Sequence, residues 1–129
     1  MWNHYRNKYS ANKVFVDGIE FASRKEARHY QDLNLLAKAG EISDLQTQVR
    51  YVLIPAQREP DIIGPRGGRK PGKVIEKELC YIADFTFRDK EGKLVVQDVK
   101  GYKGGQAYAL FSVKRKLMLW IHGIRVEEI

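Results

Sequence analysis

Two strand-forming runs joined by a short polar turn constrain the fold of this 129-residue chain most strongly. The runs cover residues 74–87 and 93–100, and the turn between them begins at Asp89 and ends at Lys93. Gly92 suits the left-handed position of a three-residue loop, so the two runs are expected to form an antiparallel hairpin. Counting outward from a closure at Asp89 and Lys93 places Asp84 directly opposite Asp98.

The predicted hairpin brings two carboxylates to one partly covered surface. Side chains alternate along a strand, so Asp98 and Lys100 share a face with the apolar Leu94 and Val96. Two facing, partly desolvated carboxylates are unfavourable unless a cation offsets their charge. A divalent cation offsets both, and oxygen-only ligands favour Mg²⁺ or Mn²⁺ over zinc. A register one residue different would instead give an exposed salt-bridge cluster, and the hairpin alone leaves this alternative open.

The first predicted helix carries a charged residue on its apolar face. The segment Ser23-Arg24-Lys25-Glu26 has the form of a capping box, and the helix that it opens runs to about Ala39, before Gly40. At about 100° per residue, Glu26 lies centrally on the face that should pack against the sheet. Glu26 is therefore a candidate site residue. A capping-box glutamate needs no further function, so the purely structural alternative stays open.

The second predicted helix, residues 107–122 with Gly123 at its end, has the same property. Lys114 lies at the centre of its apolar stripe, which consists of Ala107, Leu110, Phe111, Leu117, Met118 and Ile121. A lysine in a buried stripe needs either an anionic partner or a route to solvent. One polar pocket next to the carboxylate pair would explain why each helix carries a charged residue on its apolar face. A misplaced helix boundary would also explain the position of Lys114.

The remaining segments complete one α/β domain over residues 1–129. Asp17-Gly18 predicts a tight N-terminal hairpin, and further strands are expected at residues 45–54 and 124–126. The element order of β-hairpin, α, β, β, β, α, β describes a mixed sheet flanked by helices.

Two basic segments are expected to lie outside the core. Residues 1–12 mix aromatic and basic side chains without periodicity and are interpreted as a basic N-terminal arm. Residues 55–72 hold all four prolines and several glycines, which favours a mobile basic loop.

The charge and cysteine content narrow the partners and the compartment. Lys and Arg number 23 against 16 Asp and Glu, a net charge of +7, which favours a polyanionic partner but fits a merely soluble basic protein equally well. The single cysteine, Cys80, excludes an intramolecular disulfide and fits a reducing, cytoplasmic setting. No apolar run approaches the roughly 20 residues that a membrane helix needs.

The candidate residues form an ordered pattern: Glu26 on an early helix, Ile82-Ala83-Asp84 on one strand and Asp98-Val99-Lys100 on the next. This pattern resembles the PD-(D/E)XK nuclease superfamily, whose restriction-endonuclease-like core has the order αβββαβ. The wider set of Ser23 to Ala27, Gly40-Glu41-Ile42, Tyr81 to Phe85 and Asp98 to Gly101 is similar to a small phage-encoded family within it. Ala83 replaces the proline of the superfamily's name, and that proline carries no ligand.

The resemblance implies a Mg²⁺-dependent endodeoxyribonuclease, with Mn²⁺ as a substitute ion. Asp84 and Asp98 would hold the metal, with the Val99 carbonyl as a further ligand, and Glu26 would bind through water or serve a second ion. Lys100 would position the attacking water and stabilise charge on the phosphate.

Other residues would support the site or bind DNA. Gln48 is a candidate supporting residue, and Lys114 is a candidate phosphate clamp. The basic residues Lys103, Arg66, Arg69 and Lys70 would follow the DNA backbone electrostatically.

The sequence leaves several functions open. We expect hydrolysis of DNA phosphodiesters in the cytoplasm of a phage host, with branched recombination or replication intermediates as candidate substrates. A non-catalytic nucleic-acid-binding accessory protein with the same fold is the alternative, and RNA cleavage is a third. Because so small a domain has little surface for reading sequence, either a homodimer acts on paired strands or DNA shape supplies the specificity.

Overall fold

The computed structural model describes residues 13–129, so the predicted basic arm lies outside the described residues. Two helices are present, α1 (Arg24–Lys38) and α2 (Gly105–His122). The strands are β1 (Val14–Val16), β2 (Ile19–Phe21), β3 (Ser43–Ile54), β4 (Gln57–Arg58), β5 (Ile62–Ile63), β6 (Arg69–Lys70), β7 (Val74–Glu76), β8 (Leu79–Arg88), β9 (Leu94–Asp98) and β10 (Glu127–Glu128).

The central sheet has the strand order β10-β9-β8-β3. Strands β3, β8 and β9 pair antiparallel, and β10 pairs parallel to β9. The predicted fold class, a mixed sheet flanked by two helices, is therefore confirmed.

The two helices cover opposite faces of this sheet. Val96 of β9 belongs to one core cluster with Phe111 and Met118 of α2. Its neighbour Val95 packs into a second cluster, which includes Ala27 and Leu33 of α1. Because successive strand residues point to opposite faces, the two clusters lie on the two sides of the sheet.

The N-terminal hairpin and the cap of α1 form as predicted. Asp17 and Gly18 both have positive φ, 52° and 76°, which a two-residue type I′ loop requires. The Ser23 side chain caps α1 by accepting a hydrogen bond from the Glu26 amide at 3.1 Å. Gly40 follows the helix with φ 77°.

The hairpin between β8 and β9 has the predicted closure and register. The Asp89 amide donates to the Lys93 carbonyl at 3.0 Å, and Gly92 has φ 80°. Pairing runs from Arg88 with Leu94 to Phe85 with Gln97, so the next positions along the two strands are Asp84 and Asp98. The turn therefore fixes the position of the carboxylate pair.

Residues 55–72, predicted to be a mobile basic loop, contain the three short strands β4, β5 and β6. The segment belongs to a two-stranded ribbon in which β4 pairs with β7 and β5 pairs with β6. These strands show no alternating apolar pattern in the sequence, because both faces of the ribbon are open to solvent and no buried face imposes a period of two. Residues 77 and 78, predicted to lie within one continuous strand, separate β7 from β8.

The last strand, predicted at residues 124–126, lies further along the chain as β10. Pairing with β9 begins only at Glu127, and Val126 instead fills the core next to α2. The apolar residues before β10 therefore reflect packing of the connection rather than strand alternation.

The buried face of α2 is rotated from the predicted one. Phe111 and Met118 are buried and Tyr108 is partly buried, whereas Leu110 and Ile121 are 53% and 43% exposed. Lys114 thus lies at the edge of the buried face and not at its centre. The apolar residues on both sides of Lys114 made the two orientations indistinguishable by periodicity. Within residues 13–129, neither helix is both long and apolar enough to cross a bilayer.

Phe85 has no solvent exposure and packs between α1 and the sheet. Phe85→Ala should therefore leave a cavity there and lower the free energy of unfolding by about 3–5 kcal/mol. The matched variant Trp120→Ala removes an aromatic ring that is 86% exposed and should change stability by only about 0.5 kcal/mol. Urea denaturation measures both, and equal losses would contradict this assignment of the core.

Candidate active site

Glu26 is a buried acid in the first turn of α1, with only 6% of its surface exposed. Its backbone amide forms half of a capping box with Ser23. Its carboxylate, however, accepts hydrogen bonds from the Ala22 amide and from the Gln48 side chain. The side chain therefore turns toward the sheet, so capping alone does not account for it.

Gln48 and Asp84 lie opposite one another where the alternation of β8 is broken. Residues two apart in a regular strand share a face. Ala83, however, belongs to the core cluster with α2, whereas Phe85 belongs to the cluster with α1. Gln48 has φ 53°, a conformation that costs a non-glycine residue on the order of 1 kcal/mol. Its amide nitrogen bridges Glu26 Oε1 at 3.2 Å and Asp84 Oδ1 at 3.3 Å.

Asp98 is buried on the α2 side and has two side-chain partners. The Tyr81 hydroxyl donates to its Oδ2 at 2.7 Å. The Lys100 ammonium lies 2.8 Å from its Oδ1 and 3.5 Å from the centroid of the Phe111 ring. The lysine charge is thus held between a carboxylate and an aromatic face, which both attract a cation.

Backbone hydrogen bonds brace the segment that carries these residues. The Val99 amide donates to Asp84 Oδ2 at 2.8 Å, which links the two acidic strands. On the other side, Ile129 donates to the Asp98 carbonyl at 2.9 Å and accepts from the Lys100 amide at 3.0 Å. The Lys25 ammonium joins the Lys100 and Ile129 carbonyls, at 2.6 Å and 3.0 Å.

Glu26, Asp84 and Asp98 are close enough for their charges to shift the pKa values of Glu26 and Asp84. Burial, and then the charge of Asp84, raise the pKa of Glu26 to about 7, and Asp98 adds to the effect. Burial also raises the pKa of Asp84, against the lowering effect of the Val99 amide. Burial and the hydrogen bond to Asp98 raise the pKa of Tyr81, so this hydroxyl remains a donor.

Two open cavities flank the acids. The first, of about 360 Å³, is lined by Lys13, Glu20, Ala22, Glu26, Gln48 and Asp84. The second, of about 270 Å³, is lined by Cys80, Tyr81, Ile82, Asp98, Lys100, Ala107, Leu110, Phe111 and Lys114. One cavity therefore carries carboxylates and the other carries two lysines next to Asp98.

The structure brings most of the predicted residues together. Glu26, Gln48 and Asp84 share the first cavity, Asp98, Lys100 and Lys114 share the second, and Val99 lies between them. Lys103 is exposed and lies near Glu128, whose pKa is lowered first by the Tyr108 hydroxyl and also by this lysine. The ribbon residues Arg66, Arg69 and Lys70 are exposed and do not line either cavity.

The donor atoms fit a magnesium or manganese ion better than a softer metal. The ligands available are carboxylate oxygens, and Mg²⁺ characteristically uses one or two carboxylates while keeping several waters. Within residues 13–129 no three acidic, histidine or cysteine side chains already form a compact metal cage. Protein donors occupy the carboxylates instead, so a bound cation would replace the Gln48 and Lys100 contacts in balancing their charge.

The sequence did not predict that the Tyr81 hydroxyl and the Lys25 ammonium contact the site. A tyrosine on a core strand needs a partner for its hydroxyl, and this was the available signal for Tyr81. Lys25 was indistinguishable from any exposed lysine of a helix start because its partners are 75 and 104 residues away.

Stability should depend on pH through Glu26. Its pKa of about 7 in the folded state exceeds its ordinary value of 4.5, so the folded state binds more protons between these values. The free energy of unfolding should therefore fall as the pH rises from about 4.5 through 7.

In EDTA, Glu26→Gln should weaken this pH dependence and stabilise the protein at pH 8 by on the order of 1–2 kcal/mol. Thermal or urea unfolding across pH 4.5–8 tests this expectation. The exposed Glu91→Gln is the matched control and should retain the wild-type profile. A Glu26→Gln profile that parallels the wild type would contradict the assignment.

Comparison with known proteins places the chain in a family but gives that family no activity. Neither the curated proteins nor the solved structures yield a match. A sequence profile described as "protein of unknown function (DUF1064)" matches residues 6–122, which is most of the chain. The chain therefore belongs to the DUF1064 family.

Proposed function

We propose that this protein is a metal-dependent DNA endonuclease with a restriction-endonuclease-like core, which hydrolyses phosphodiester bonds at Glu26, Asp84, Asp98 and Lys100. The observation that carries the proposal is the proximity of three acids from α1, β8 and β9, of which Glu26 and Asp84 line the first cavity and Asp98 lines the second. Burial and mutual repulsion raise the pKa of Glu26 to about 7 and raise that of Asp84. Such clusters of perturbed acids characterise functional sites.

Asp84 and Asp98 would hold Mg²⁺ directly, with the Val99 carbonyl as a further ligand and Glu26 as a ligand through water or for a second ion. The bound ion would act as a Lewis acid toward a phosphate oxygen and lower the pKa of water. Gln48 supports this role because its amide already joins Glu26 and Asp84.

Lys100 supplies positive charge at the reacting phosphate. Hydrolysis adds a water oxygen to phosphorus and breaks the bond to the leaving sugar oxygen, which gains a proton. Negative charge grows on the phosphoryl oxygens along the way, and a fixed ammonium stabilises it. Asp98 and Phe111 fix the ammonium of Lys100, so little reorganisation is needed when the charge develops.

Tyr81 and Lys114 complete the second cavity. The Tyr81 hydroxyl orients Asp98 through its 2.7 Å hydrogen bond. Lys114 is half-buried on the same cavity as Lys100, where its charge would bind a phosphate next to the cut. A DNA strand would thus meet acids on one side of the site and lysines on the other.

A purely DNA-binding role accounts less well for the buried acids. Binding to a polyanion needs surface cations, and carboxylates near the contact oppose it. Desolvation of Glu26 and Asp84 costs free energy that a binding scaffold would recover by replacing them with neutral residues.

Cleavage assays test the proposal directly. Purified protein should cut at least one DNA in a panel of linear, supercoiled, flapped and four-way substrates with Mg²⁺ or Mn²⁺, and should cut none in EDTA. Asp98→Asn keeps the shape of the side chain but removes its charge, and should lower the rate by at least about 100-fold.

Asp32→Asn is the matched control, because Asp32 is exposed on α1 and should leave the rate unchanged. Single- and double-stranded RNA in the same panel separates ribonuclease from deoxyribonuclease activity. The proposal fails if every DNA stays intact with either metal, or if Asp98→Asn cuts as fast as the wild type.

A further inference from the structure

The ribbon formed by residues 54–79 is the largest feature that the proposed site does not use. It continues β3 and β8 away from the sheet, through the pairs Gln57 with Glu76 and Ile62 with Lys70. About nine residues per strand at roughly 3.3 Å each give it a reach of up to about 30 Å. A long extension of the strand that carries Asp84 can contact a substrate well beyond the cut.

The ribbon has no core of its own. Of residues 54–77, all are exposed except Gly64 and Gly72. Ile62 and Ile63 near the tip are 59% and 68% exposed. A two-stranded hairpin without a packed face is only marginally stable in water, so these apolar side chains favour a bound partner.

The outer half of the ribbon carries cations only. Residues 62–73 contain Arg66, Arg69, Lys70 and Lys73 and no acidic residue. Cross-strand pairing places Lys70 next to Ile62 and Arg69 next to Ile63, so both faces carry a cation together with an apolar side chain. This combination suits a DNA groove, where cations meet phosphates and base edges and apolar groups meet thymine methyls.

Gly72 allows the two strands to approach closely. A methyl group at this position would lie 2.0 Å from the Glu59 carbonyl oxygen. The Glu59 amide donates to the Lys73 carbonyl at 2.8 Å, and Arg58 donates to the Gly72 carbonyl at 3.0 Å. These contacts join the inner and outer ladders into one ribbon.

We infer that the ribbon inserts its basic tip, residues 62–73, into the major groove of duplex DNA that flanks the cut site. The inference rests on the proposed function in taking DNA as the ligand. A two-stranded ribbon fits the major groove, which is about 12 Å wide, and enters the minor groove, about 6 Å wide, only where the duplex is distorted. The deep, narrow major groove of double-stranded RNA excludes it.

The charge of the tip is tested by DNA binding in EDTA, where no cleavage interferes. The variant Arg66→Gln/Arg69→Gln/Lys70→Gln is compared with Lys38→Gln/Lys116→Gln/Arg125→Gln, which removes the same charge from exposed positions elsewhere. Loss of three phosphate contacts should make the slope of log affinity against log salt concentration shallower by about 2.7. Between 50 and 200 mM salt, the affinity of the wild type should therefore fall about 40-fold more than that of the tip variant. Equal salt dependence in the two triple variants would overturn the inference.

The shape of the ribbon is tested separately from its charge. Gly72→Ala keeps every cation but forces the strands apart, and should lower the preference for duplex over single-stranded DNA at least 10-fold. The matched control is Gly123→Ala, which strains the backbone at the end of α2, where φ is 67°, and leaves the ribbon untouched. If both alanine variants keep the wild-type preference, charge alone explains binding and the ribbon inference is wrong.

The groove is tested by competition. Methyl green, a major-groove ligand, should displace the wild type, and netropsin, a minor-groove ligand, should not. Binding of double-stranded RNA as tightly as DNA, or displacement by netropsin alone, would overturn the inference. Protein that binds in this way but never cuts would refute the nuclease and leave the ribbon standing, whereas cutting and binding unaffected by ribbon variants would refute the ribbon alone.

Discussion

Mutual repulsion among three partly buried carboxylates is the constraint on which the rest of this structure depends. Glu26, Asp84 and Asp98 come from one helix and two strands, and each would be better solvated on an open surface. Desolvating an acid next to another acid costs free energy that packing alone does not return. The chain must therefore surround these groups with donors and cations, and the proposed divalent ion would balance the charge that remains.

Polar contacts from the surrounding strands and from α2 offset the repulsion among the acids. Gln48 takes a strained backbone conformation in order to bridge two acids, and Tyr81 donates to a third. Lys100 offsets Asp98 while resting on the Phe111 ring of α2. The break in the alternation of β8 at Asp84 coincides with this arrangement, so the regular sheet gives way where the acids converge.

Sequence alone could predict the register of the acids, because the length of the turn after β8 decides which residues face each other. It could also predict a buried Glu26, because apolar spacing along α1 defines one face. It could not place Lys114, since apolar residues on both sides of that lysine suit two rotations of α2. The ribbon and the φ of Gln48 were equally out of reach, because neither one depends on a repeating pattern of burial.

Binding of Mn²⁺ tests the central claim most directly, since it asks whether the acids form a cation site without requiring a substrate. Loss of the free-ion paramagnetic resonance signal should show binding to wild-type protein and to the exposed control Asp32→Asn at pH 8. Asp84→Asn should bind at least 10-fold more weakly, and wild-type binding should weaken at pH 6 as Glu26 gains its proton. Equal affinity in Asp84→Asn, or no wild-type binding at millimolar Mn²⁺, would contradict the account.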